Sequence, residues 1–469
     1  MNNTQSDSYM KGFLPYGFAA FLVGIVGGLS TVLGTAFVQD MNLLYNNTTW
    51  TALSQAISTA SCAPILGKLC DIFGRGRTLL LGITIFLLGN FLSALAPSLL
   101  FMLFARFIVG IGTAAIAPTI MSYIITEFPP QQIAKGFSLY MLISSTSVIF
   151  GPSLGGIILH ATGWRTLMWI SCIICVIFLI LCILTHPKTE FTPKKLVGFD
   201  GSGAIFIVAF FSLLLCVPAF GQNFGWTSTK FLVVLILALT ALVGLFLIEK
   251  RASNPILSGD FMMRKSFILP VIILFLTQGL MQANMTNTIV FVNYTQPDNR
   301  VISGYAISIM YLGMSLGSIL LGPLADRFEP KRILTFSLLF TGIGCGLMLL
   351  FSTNTTLLVL AASLGILGFG LGANATIFMK IVLSDIPTET AGAGTGIYGL
   401  FRDLAAPFGV AVYVPMFTNE ITRIMSNVTE GVTAGEAAVS SIHMLSFIEL
   451  ICIAIGILIV QLLPRIHQK

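Results

Sequence analysis

The stretch GKLCDIFGRGR, Gly67 to Arg77, returns 255 residues later as GPLADRFEPKR, Gly322 to Arg332. Gly67/Gly322, Leu69/Leu324, Asp71/Asp326, Phe73/Phe328 and Arg77/Arg332 keep register, and each copy lies between two long apolar segments. A charged loop repeated at one depth of a hydrophobic chain implies two homologous membrane halves. Two halves facing a shared central site is the plan of secondary transporters.

Composition agrees with that reading. Hydrophobic residues make up 56% of the chain and charged residues 9%, where a soluble domain carries about 25% charge. The apolar runs suit helices crossing roughly 30 Å of hydrocarbon, and short alternating strands of the barrel type are missing. The expected fold is an all-α integral membrane protein with fourteen spans. They begin near Phe13, Trp50, Thr78, Leu99, Gly136, Arg165, Gly203, Phe231, Phe267, Val301, Ile333, Thr356, Ala391 and Met444.

Positively charged short loops stay in the cytoplasm. With both termini inside, only Arg165, Lys230, Arg300 and Arg423 of the twenty-four Lys and Arg fall outside, while Arg106 and Arg402 sit within spans. The net charge of +6 therefore reports membrane topology and gives no reason to expect nucleic acid as a partner. The polar first twelve residues lead straight into a span, with no cleavable signal. The eight cysteines lie almost wholly in the expected helices. Cys172 and Cys175 form a CxxC at lipid depth without a second pair or nearby His, so neither a disulfide framework nor a metal site is expected. Asn46 and Asn47 head glycosylation-like triplets and read as polar loop residues.

The 255-residue offset extends beyond the loops. Leu99 to Thr126 maps onto Asn354 to Ile381, and Pro152 onto Pro407. Six helices thus repeat as six, with two inserted helices between them. The expected organisation is a cytoplasmic N-terminus (1–12), an N-terminal six-helix bundle (13–186), a linker with the inserted pair (187–265), a C-terminal six-helix bundle (266–465) and a short cytoplasmic tail (466–469). The longest outside loop, about Thr418 to His443, is polar and leaves room for a short helix.

These residues resemble the major facilitator superfamily. GKLCDIFGRGR matches its signature between the second and third helices, ARFIVGIGTAA (Ala105 to Ala115) its fourth-helix Arg/Gly motif, and SVIFGPSLGG (Ser147 to Gly156) the fifth-helix motif of its drug:proton antiporters. Fourteen spans point to the fourteen-helix branch of those antiporters. FLTQGLMQANMTNTIVFVNYTQPDN (Phe275 to Asn299) and YGLFRDLAAPFGVAV (Tyr398 to Val412) resemble the bile acid transporters encoded beside the bile acid 7-dehydroxylation enzymes of gut clostridia, which are regarded as proton-dependent importers. The resemblance implies a major facilitator fold in a bacterial plasma membrane, acting as a monomer with no cofactor beyond the coupling proton.

Within the loops, Gly67 and Gly322 permit tight turns, and Asp71 can accept from the N-terminal amides of a neighbouring helix or pair with Arg75 or Arg77. Asp326 and Arg332 repeat the pattern, with Glu329-Pro330 replacing Gly74-Arg75. Two copies in register favour a cytoplasmic conformational latch over a loop that only sets topology. Arg106 stands alone in an apolar helix and its repeat mate is Ala361. It serves either proton coupling, as the resemblance implies, or backbone bonding. Gly151, Pro152, Gly155 and Gly156, with Pro407 in the second half, read as a hinge or seal.

Gln278, Gln282 and Thr286 recur at i, i+4 and i+8 on the ninth span, beside Asn284. Uncharged polar groups at membrane depth need partners. With Asn374, Thr31 and Thr35 on the other cavity helices of the family, they are candidates to line a substrate cavity; helix-to-helix bonding is the other reading. No acid occurs in VGGLSTVLGTAF (Val26 to Phe37), where related exporters of cationic drugs carry an Asp. Arg402 is a candidate carboxylate anchor or a member of an internal charge network. Asp403 and Glu449 are candidate proton carriers, since ionised acids at such depth are costly; a satisfied structural acid is the other reading of each. AGAGTGIYG (Ala391 to Gly399) lacks a preceding strand and a Lys-Ser/Thr ending, so it is no phosphate loop.

No catalytic constellation appears, so an enzyme is not expected. The expected function is proton-coupled movement of an amphipathic organic anion, with bile acid uptake foremost. Multidrug:proton antiport is the alternative.

Overall fold

The computed structural model describes residues 3–30, 47–185, 200–251, 264–296, 301–383, 391–427 and 433–463, together with Leu33, Phe37, Asp40 and Met41. Among these residues there are fourteen long helices and no strand: α1 Asn3–Ser30, α2 Asn47–Phe73, α3 Arg75–Ala94, α4 Leu99–Glu127, α5 Ile133–Thr162, α6 Trp164–Thr185, α7 Gly201–Phe224, α8 Thr229–Arg251, α9 Lys265–Thr295, α10 Val301–Leu321, α11 Pro330–Leu347, α12 Leu357–Leu383, α13 Ala391–Asn427 and α14 Ala434–Gln461. Thirteen are long and apolar enough to cross a membrane, and α5 is a further helix of 30 residues.

Most helices begin within three residues of the expected positions. Two do not. α1 and α14 each start about ten residues early, at Asn3 and Ala434. At α14 the cause is a capping box: Glu436 N–H donates to the Thr433 hydroxyl at 3.3 Å, and Thr433 N–H donates to the Glu436 carboxylate at 2.8 Å. Two orphan amides are satisfied before the apolar stretch begins. Much of the loop expected over Thr418 to His443 is therefore helix.

The doubled sequence is also doubled in packing. Gly110 on α4 lies so close to α2 that a side chain there would meet Ser58. Its mate Gly365 on α12 sits against Gly313 of α10, the mate of Ser58. Small residues at such crossings let backbones approach in lipid, where packing and interhelical bonds hold helices together. Several hydroxyls inside the spans are met locally: Thr119 donates to the Ala115 carbonyl at 2.7 Å and Ser171 to the Leu167 carbonyl at 3.0 Å.

The contacts divide the chain into two compact units. One takes Met1–Pro129, Ser147–Met262 and Leu383–Asp403, and so holds α1 to α4, the later part of α5, α6 to α8 and the first turns of α13. Leu29, Leu33, Phe37, Ala94, Ala96, Met102, Trp164, Leu167 and Met168 form an apolar cluster in it. The inserted pair packs as an antiparallel hairpin whose α7 lies on α2, where Ser61 and Ser212 hydroxyls are 3.2 Å apart. The other unit takes Pro130–Thr146, Met263–Val382 and Leu404–Lys469. It holds the start of α5, α9 to α12, the rest of α13 and α14.

Candidate functional site

The two copies of the loop turn differently. In the first, Gly74 precedes α3 at φ 89°, ψ 146°, a region essentially restricted to glycine. In the second, Glu329 precedes α11 at φ −58° and Pro330 occupies its first turn, where a missing amide costs nothing. Glu329 pairs with Arg332 at 3.3 Å, but Arg332 is largely exposed and such a pair contributes little.

Both aspartates end at a helix N-terminus. Asp71 accepts from the backbone amides of Gly392 at 2.8 Å and Ala393 at 2.9 Å, the first turn of α13. Asp326 accepts from Ala134 at 3.1 Å and Lys135 at 3.0 Å, the first turn of α5. An anion there meets free N–H groups and the positive end of the helix dipole. The seats are tight, since a side chain at Gly67 would run into the Gly392 carbonyl and one at Gly322 into the Ser138 hydroxyl. Thr395 adds a bond to the Pro118 carbonyl of α4 at 3.0 Å. Each aspartate thus grips a helix from the opposite sequence repeat, α13 by Asp71 and α5 by Asp326.

The surroundings are not symmetric. Lys380 on α12 lies 2.6 Å from Asp326 and also donates to the Ala325 carbonyl. Serine hydroxyls reinforce this seat: Ser318 donates to the Ser138 carbonyl at 3.3 Å, and Ser145 and Ser315 are 2.6 Å apart. At the first copy, Arg75 reaches Glu127 of α4 at 2.6 Å. Lys380 and the serine ties escaped the sequence reading. A lone Lys in an apolar span was the available signal for the former.

The polar residues of α9 fall on two faces. Gln278, Gln282 and Thr286 are partly exposed. Asn284 and Asn287 are buried, and Asn284 donates to the Glu449 carboxylate of α14 at 3.0 Å. A cavity candidate and a proton-carrier candidate are thereby brought together. Asn374 is buried and bonded across to α11, accepting from the Ser337 hydroxyl and donating to that of Thr341, so its amide ties two helices. Arg402 donates from Nε to the adjacent Asp403 at 2.8 Å, with both side chains about one-fifth exposed. Arg106 is buried, and its Nη1 has no partner. The backbone is helical through Gly151, Pro152, Gly155 and Gly156 and through Pro407; Gly155 is buried, and the side chains of Pro152 and Pro407 lie outside the described residues. So do Thr31 and Thr35.

Comparison with known proteins places this arrangement. The sequence model of the Major Facilitator Superfamily matches residues 16–410. The chain belongs to the Major Facilitator Superfamily. Multidrug resistance protein 3 of Bacillus subtilis is 24% identical over 418 residues, covering 88% of this chain and 81% of its own. Multidrug resistance protein Stp of Mycobacterium tuberculosis is 28% identical over 370 residues, covering 77% and 67%. Among solved structures, the superfamily transporter FucP in its outward conformation superposes with a TM-score of 0.62 over 98% of this chain and 100% of its own, at 15% identity. The chain is a multi-pass membrane transporter and not an enzyme.

Proposed function

We propose that this superfamily transporter is a proton-coupled exporter of hydrophobic and amphipathic compounds in a bacterial plasma membrane. The multidrug resistance relatives support export over the bile acid uptake suggested by local sequence likeness. The observation that carries the reading is the partly exposed stripe of Gln278, Gln282 and Thr286 on α9. Uncharged amides and hydroxyls among apolar neighbours orient varied ligands without demanding one charge. The Asp71 and Asp326 seats act as a pair of cytoplasmic latches that hold one arrangement of α5 and α13 and release in another.

Amphipathic organic anions, bile acids foremost, form the second reading. α1 carries no acid beyond Asp7, which disfavours a cation-selective site there, and Arg402 supplies a guanidinium suited to a carboxylate. Proteoliposomes with an imposed proton gradient test both. Gradient-driven movement of ethidium against its concentration, with none of labelled cholate, supports the export reading. Gradient-driven cholate movement alone replaces it with the anion reading.

A further inference from the structure

Outside the loops, α9 and α14 bury three amide or carboxyl side chains among the described residues. Glu449 is 0% exposed, Asn284 1% and Asn287 0%. Asn284 Nδ2 donates to Glu449 Oε1, and the Cys345 thiol of α11 lies in the same surroundings. The remaining atoms have nothing: Glu449 Oε2, Asn284 Oδ1, Asn287 Oδ1 and Asn287 Nδ2 are all without partners. Asn284 and Asn287 lie one turn apart, on one face of α9.

The hydrogen count is informative. Three oxygens lack a donor, while the one amide nitrogen without an acceptor, Asn287 Nδ2, carries two hydrogens. Buried polar groups left in this state are costly, and three unpaired oxygens against two unpaired amide hydrogens leave the group one hydrogen short. A proton on Glu449 Oε2 turns one acceptor into a donor toward an amide oxygen. A water supplies two further donors and accepts from Asn287. No basic side chain pairs with Glu449 among the described residues. The other titratable groups around it are Cys345 on α11, Cys452 on α14 and Tyr413 on α13, whose hydroxyl reaches the Cys452 sulfur at 3.6 Å.

We propose that Glu449, Asn284 and Asn287 form a hydrated proton-binding site, and that α9 transmits its occupancy to the polar stripe on its other side. Gln282 and Thr286 each lie two residues from Asn284, about 160° to 200° around the helix. Forming the O–H bond at Oε2 rearranges the amides that fix the rotation of α9 against α14. Releasing the proton to water restores the carboxylate. One rigid helix with a proton site behind and a ligand-facing stripe in front gives reciprocal coupling between the two. The coupling half of the proposal rests on the transport reading above; the proton site does not.

The test therefore begins without a substrate. Infrared difference spectra of the purified full-length protein in nanodiscs, stepped from acidic to alkaline pH, should show a protonated carboxyl band that disappears as pH rises. Glu449→Gln should remove that band, Glu449→Asp should restore one, and Asn287→Leu should move its midpoint. A carboxyl band unchanged by Glu449→Gln overturns the proposal, as does a midpoint set by Na⁺ at constant ionic strength, which would make this a sodium site. In proteoliposomes, Glu449→Gln should keep ethidium exchange but lose at least tenfold of its gradient-driven accumulation. Loss of exchange and accumulation together overturns the coupling role. A normal infrared result with no ethidium movement by the native protein instead sinks the export reading and leaves the proton site standing.

Discussion

Lys380 and Asp326 lie 2.6 Å apart with side chains only 13% and 6% exposed, at the point where Asp326 also receives the first amides of α5. Two charges so enclosed depend on each other. Removing one partner of a buried pair costs about 3–5 kcal/mol, because the other charge is stranded.

Lys380→Met should therefore lower thermal stability in detergent substantially, and Asp326→Asn on top of it should recover part of the loss. A double-mutant cycle measures this coupling. Additive effects would mean that the ion pair contributes nothing beyond its separate backbone bonds.

Asp71 holds α13 through the amides of Gly392 and Ala393. Hydrogen bonds to a charged acceptor are worth about 1.5–3 kcal/mol. Asp71→Ala should speed amide hydrogen exchange over the first turn of α13 roughly tenfold to a hundredfold, read by mass spectrometry on that peptide. Asp71→Asn should fall between, since it retains an acceptor oxygen without the charge.

Gly74→Ala should destabilise by about 1–3 kcal/mol, because φ 89° with ψ 146° suits no residue with a Cβ. Glu329→Ala, at the matching position with φ −58°, should cost far less. Comparing the two variants by thermal unfolding separates backbone strain from the loss of a loop side chain.

Asn374 and Gln282 should separate stability from transport. Asn374→Ala breaks the buried ties to Ser337 and Thr341 and should cost about 1–3 kcal/mol of stability. Gln282→Ala, on the partly exposed stripe, should leave unfolding within about 0.5 kcal/mol of native while changing the apparent affinity for ethidium severalfold. The reverse pattern in efflux and melting assays would exchange their assigned roles.

Sequence alone determined the helices and their repetition. Apolar length marks a membrane helix directly, because lipid forces every backbone amide to be satisfied within the segment, and the doubled loop set the offset that Gly110 and Gly365 then repeat in packing. The early start of α14 was hidden because its first turns are polar and rest on a capping box. The tertiary structure decided what each polar group touches. That Asp71 can accept from helix N-terminal amides was readable in the sequence, but which helices supply them, α13 to Asp71 and α5 to Asp326, was not, because a backbone donor leaves no mark in residue identity. Asn284 and Glu449 meet across 165 residues because α9 and α14 pack with those faces together, and helix rotation follows from packing as a whole rather than from either segment.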